Sequence, residues 1–166
     1  MTQELPAEDY EAVQQLLAEA QQGGMPVGGM RHLDDRRCET LYALGCSLAE
    51  RQRHDDAFKV LSVLVAHNHA EHRYLMALGE AAQALGRYRD ALQQFAAATL
   101  LDPLEPLSVL HSAECLLALG KRGPAEESLS LALEMCRPGR HNAVRSRALA
   151  LRQAMQGAPA CAARHC

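Results

Sequence analysis

Apolar residues recur along this chain at three- and four-residue spacings almost throughout, the period of an α-helix and not of a strand. In residues 7–21, AEDYEAVQQLLAEAQ, the positions Val13, Leu16, Leu17 and Ala20 form one apolar stripe and predict an amphipathic helix. GGMPVGGM at 23–30, with four glycines and a proline, ends it. From Leu41 onward the same spacing returns in blocks: Leu41, Leu44 and Leu48, then Ala57, Leu61 and Leu64. After Pro138 and Gly139, residues 140–156 predict a basic helix with Val144, Leu149 and Leu151 on its apolar side. The remainder, GAPACAARHC, has no periodicity and is expected to be a disordered tail over 157–166.

The blocks are copies of one another at a spacing of 34. Leu41, Leu75 and Val109 fall in register, as do Leu44, Leu78 and Ser112, and Gly45, Gly79 and Ala113. So do Leu48, Ala82 and Leu116; Gln52, Gly86 and Gly120; and Ala57, Ala91 and Ala125. Leu61, Phe95 and Leu129 follow, then Leu64, Ala98 and Ala132. Small residues in two columns let paired antiparallel helices approach closely, and large ones fill the space between pairs. Gly86 and Gly120 suit the left-handed residue after a helix C-terminus. The pattern resembles the tetratricopeptide repeat, with repeats at about 38–71, 72–105 and 106–139. Gln52 and His69 depart from it, since glycine and proline are usual there. The expected fold is all-α: three tandem helix pairs, preceded by an N-terminal helix and followed by a C-terminal capping helix. In domain terms, 1–30 is a helix and glycine-rich linker, 31–156 the repeat domain with its cap, and 157–166 the tail.

Composition agrees with this. The chain has 29 alanines and 26 leucines against seven valines and no isoleucine, which favours helix and starves any sheet. No apolar run approaches the roughly 18 residues of a membrane span, and the first fifteen residues are acidic and polar. No membrane insertion and no secretory signal are expected, hence a cytoplasmic location. The net charge of −3 divides unevenly: residues 137–166 hold six arginines and no acid. Without stacking aromatics in that segment, nucleic acid is not an expected partner.

Chemistry is sparse. None of the common nucleotide-binding, nucleophile-elbow or zinc-protease motifs occurs. The string HNHAEH around His67 and His69 admits a metal-hydrolase reading, but falls at an inter-helix turn. Cys161, His165 and Cys166 are too few to close a zinc site. Neither cofactor, metal nor catalytic residue is expected, and the cysteines are expected to be reduced thiols.

The strings LYALGCSLAERQRHDDAFKVL, HRYLMALGEAAQALGRYRDAL and EPLSVLHSAECLLALGKRGPAEESLSLALEM resemble the class II chaperones of bacterial type III secretion, over roughly residues 8–156. The resemblance implies a protein that holds hydrophobic translocators in the cytoplasm before export, without catalysis. It implies a concave groove, lined by the first helix of each pair, that takes a short segment containing Pro and Leu. The groove positions are then Tyr42, Cys46 and Ala49, followed by Met76, Glu80 and Gln83, and by Leu110 and Glu114. Tyr42 matches an aromatic groove position, and Leu61 and Leu64 match apolar ones. Ala49 and His54 stand where relatives often carry tyrosine, implying a wider or more polar pocket. Relatives commonly dimerise through the N-terminal region, so Val13, Leu16 and Leu17 are the expected homodimer contacts. Some also assist a transcriptional activator, a partner left open here. A chaperone of the needle subunit of the same system, or a general repeat scaffold for protein binding, are the alternatives. Glu80 and Glu114 disfavour a co-chaperone that clamps the acidic terminus of a heat-shock protein.

Overall fold

The computed structural model describes residues 34–157; the expected helix at 7–21, with Val13, Leu16 and Leu17, and residues 158–166 lie outside them. Seven helices follow one another among the described residues: α1 (Asp35–Glu50), α2 (His54–His67), α3 (His72–Ala84), α4 (Tyr88–Leu101), α5 (Pro106–Ala118), α6 (Arg122–Met135) and α7 (Asn142–Gly157). The repeat begins slightly earlier than its columns suggest, because the Asp34 side chain caps α1 by accepting from Arg37 N at 2.8 Å. Pro106 opens α5, where its missing N–H costs nothing. Gly157 closes α7 and is no part of a tail.

One turn recurs three times. After α1, Gln52 takes φ 62°; after α3 and α5, Gly86 and Gly120 each take φ 73°. In each case the next residue donates back five positions: Arg53 N to Leu48 O, Arg87 N to Ala82 O and Lys121 N to Leu116 O, all at 2.9 Å. The left-handed residue itself donates three back, to Ala49, Gln83 and Leu117. This double closure satisfies the carbonyls at the helix end. Gln52 therefore keeps the glycine column's geometry without being glycine. The absence of proline at His69 has a similar answer. Ala70 N donates to the Asn68 side chain at 3.1 Å, and one period later Leu104 N donates to Asp102 at 3.1 Å, so a side-chain turn reverses the chain at both places. Matching ion pairs, Arg53 with Asp56 and Arg87 with Asp90, both at 2.6 Å, open α2 and α4.

The chain falls into two compact units, Met1–Gln94 and Phe95–Cys166, divided within α4. In the first, Cys38, Leu41, Leu44 and Leu48 of α1 pack with Ala57, Val60, Leu61 and Leu64 of α2 and with Tyr74, Leu78 and Ala81 of α3. Gly45 sets how closely α1 and α2 approach, since a Cβ there would lie 2.7 Å from Leu61 Cδ2. In the second, Leu110, Ala113 and Leu129 meet Ala148 of α7, flanked by Val144, Leu151 and Met155. Those four positions of α7 form its buried stripe, and Leu149 lies off it. Arg147 Nε pairs with Glu114 Oε1 at 2.5 Å, and Arg122 donates to the Met155 carbonyl, so α7 is tied to both α5 and α6. Ser108, wholly buried, is satisfied by the Thr99 hydroxyl at 2.8 Å and the Glu105 carbonyl at 3.2 Å.

Two substitutions test this packing. Gly45→Ala should destabilise by about 1–3 kcal/mol, because the added Cβ would meet Leu61 Cδ2 at 2.7 Å and Cγ at 2.8 Å and force that core side chain to shift. Gln52→Gly should stabilise by about 1 kcal/mol through relief of the left-handed backbone. Denaturant midpoints should move in opposite directions; two unchanged midpoints would contradict the account.

Candidate functional site

Within the first unit, a cavity of about 330 Å³ opens between the end of α1, the start of α2 and the middle of α3. Cys46, Ala49 and Glu50 line it from α1, His54 and Leu61 from α2, and Ala77, Glu80 and Ala81 from α3. It exists because Gln52 turns the chain back beside α1 while three alanines leave the facing surfaces without side-chain bulk. His54 is fixed by its Nε2, 3.2 Å from the Gln52 Oε1, and its Nδ1 is buried without a hydrogen-bond partner.

An aromatic and cationic wall lies beside this cavity. The Tyr42 and Tyr74 rings sit 5.5 Å apart. The Arg73 guanidinium lies 5.1 Å from the centre of the first ring and 5.8 Å from that of the second, within cation–π range. Arg73 is held there by Glu39 at 2.6 Å and Glu71 at 3.2 Å. Hydrogen bonding to Arg73 lowers the Glu39 carboxyl below its ordinary range. Burial, aided by the neighbouring Cys46 thiol, pushes the Tyr42 phenol up to about 12. Burial also raises the Cys46 thiol, against the pull of the Tyr42 hydroxyl. Neither group is ionised near neutrality, so this wall offers shape and hydrogen bonds and no nucleophile. Cys38, Cys46, Cys115 and Cys136 are free thiols, and burial raises each of them, Cys115 to about 11. Among the described residues no three His, Cys, Asp or Glu side chains are grouped to hold a metal, and no helix is long and apolar enough to cross a membrane.

Known proteins resemble this chain in sequence and in fold. No protein-family model matches the sequence. The low calcium response locus protein H of Yersinia pestis is 32% identical over 113 residues, 68% of this chain and 67% of that protein. PcrH of Pseudomonas aeruginosa, solved in complex with the chaperone binding region of PopD, superposes with a TM-score of 0.71 at 36% identity, covering 76% of this chain and 96% of that one. The Yersinia enterocolitica type III secretion chaperone SycD, solved with a peptide of the translocator YopD, gives a TM-score of 0.70 at 29% identity over 74% of this chain and 95% of that one. The chain belongs to the class II type III secretion translocator chaperones.

In this chaperone the predicted groove residues divide by depth. Cys46, Ala49, His54, Leu61 and Glu80 meet at this cavity, with Tyr42 half-buried beside it. Leu61 reaches it only with its edge, being 1% exposed, and Leu64 has no exposed surface, so it is core and not lining. Met76 is buried at 8% exposure, and Gln83 is half-buried on α3. Leu110 and Glu114 belong to the second unit, where α7 covers Leu110 and Arg147 and His111 flank Glu114. Leu64, Met76 and Leu110 are thus corrected from lining to core: the apolar character that suggested a groove floor is what buries them. The sequence reading missed Glu50, Ala77 and Ala81. The four-residue spacing of Ala77 and Ala81, with Glu80 between them, was the available signal.

Proposed function

We propose that this chain is a chaperone that captures a short apolar segment of a type III secretion translocator in the Ala49–Ala77–Ala81 cavity and stores the translocator in the bacterial cytoplasm until export. The observation that carries this reading is a preformed, alanine-floored cavity in a chain of the translocator-chaperone family, some of whose members are solved with translocator segments bound. The physical need is clear: a protein built to enter a membrane carries apolar surface that aggregates in water. Covering an anchor side chain contributes about 1.5–3 kcal/mol, before the cost of ordering the segment. Several such contacts give storage that is reversible without nucleotide. No catalytic step belongs to this reading, and the named relatives favour translocators over a needle subunit. The resting form is a homodimer joined through the stripe of Val13, Leu16 and Leu17; SycD has itself been solved as an alternative dimer.

Ala49→Trp fills the cavity from a half-buried position and leaves the core intact. A labelled translocator segment should bind it at least about tenfold more weakly than wild type, the loss of roughly one buried side chain. Equal affinity, with helical circular dichroism retained, would place the cargo elsewhere. For the dimer, sedimentation should give about twice 18.1 kDa, and deletion of residues 1–21 should bring it to a monomer. A full-length monomer at tens of micromolar contradicts it.

A further inference from the structure

The cavity is larger than a leucine needs. An engineered apolar cavity of about 150 Å³ takes a whole benzene ring. The one here measures about 330 Å³. A leucine side chain has little more than half the carbon atoms of a phenylalanine. With leucine as anchor, much of the lining would face a gap, and atoms across a gap lose their contacts outright. The extra room has a cause in the sequence. Ala49 on α1, and Ala77 and Ala81 one turn apart on α3, each contribute a single methyl group where a longer side chain would close the space. An apolar floor alone takes any apolar side chain; the volume over it is what selects.

The rest of the lining suits a flat ring. Cys46 brings a sulfur atom, which makes favourable contacts with aromatic rings. His54 brings an imidazole whose nitrogens are not offered to an occupant: Nε2 lies 3.2 Å from Gln52 Oε1, and Nδ1 is buried. One turn before Cys46 on α1, the half-buried Tyr42 ring stands beside the cavity, 5.5 Å from the Tyr74 ring and 5.1 Å from the Arg73 guanidinium. Those two neighbours hold it in place. A ring entering here therefore meets an aromatic side chain that is already fixed, and offset or edge-to-face pairs gain beyond the area they bury. We propose that this cavity takes an aromatic anchor, a phenylalanine or tryptophan side chain of the translocator segment, in preference to leucine. The inference rests on the reading that the cavity is the cargo site, and adds which anchor side chain it selects.

The test uses the full-length protein and three synthetic peptides of one length, identical except for Leu, Phe or Trp between two prolines. The chain has no tryptophan, so the emission of the Trp peptide reports on that residue alone. The Phe and Trp peptides should bind roughly tenfold more tightly than the Leu peptide, through the added apolar area they bury. The Trp emission should move to shorter wavelength on binding. Ala77→Leu and Ala49→Leu, at half-buried lining positions, shrink the cavity from α3 and from α1. In each variant that keeps its helical circular dichroism, the aromatic preference should fall toward one and the emission shift should diminish. A Leu peptide that wild type binds as tightly as the Phe and Trp peptides overturns the aromatic preference and leaves the cavity as cargo site. A preference that survives undiminished in the folded variants puts the ring elsewhere and also overturns the inference. Failure of all three peptides to bind overturns the cargo-site reading and this inference with it.

Discussion

Each first helix of a pair has to stop within a single turn and send the chain back alongside itself, and one residue in the left-handed region carries that reversal. Gln52, Gly86 and Gly120 occupy the same place at the same spacing, with the same pair of backbone hydrogen bonds. The helix that follows then lies against the one before, and Gly45 allows the close approach that brings Leu61 under α1. The candidate site follows from that reversal: Ala49 and Glu50 precede it, His54 follows it, and Gln52 at its apex meets the His54 ring. Strain at Gln52 is tolerated because the closure satisfies carbonyls that a frayed end would leave to solvent.

Much of this was legible in the residues. The second-helix columns, Ala57–Leu61–Leu64, Ala91–Phe95–Ala98 and Ala125–Leu129–Ala132, are nearly or wholly buried in all three copies, as small and large residues at that spacing require. Depth was less legible than register. Met76 and Leu110 hold corresponding positions on α3 and α5, and an outward-facing apolar residue reads the same as one that another helix covers. Leu110 is covered by α7, whose contact depends on Ala148, a residue with no strong periodic signal. The cavity was only half visible for a related reason. Ala77 and Ala81 look like ordinary helix formers, and an alanine that leaves space cannot be told in sequence from one that fills it.

Electrostatics and packing divide the work between them. Ion pairs such as Arg53 with Asp56 and Arg73 with Glu39 are exposed and contribute little to stability, but they set where the cations stand. Arg73 is thereby stacked on Tyr42 and Tyr74 beside the cavity. An apolar floor gives affinity with little sequence preference. A chaperone that must hold its cargo and later release it is served by that division.

The central claim is that the cargo sits on the cavity between α1, α2 and α3. Amide hydrogen exchange on the full-length protein, alone and in complex with a translocator from its own bacterium, tests it most directly. The account predicts that cargo slows exchange at the end of α1, in the middle of α3 and at the turn through Gln52, where the cavity lining lies. Protection confined to α6 and α7, with the turn at Gln52 exchanging as in the free protein, would contradict it.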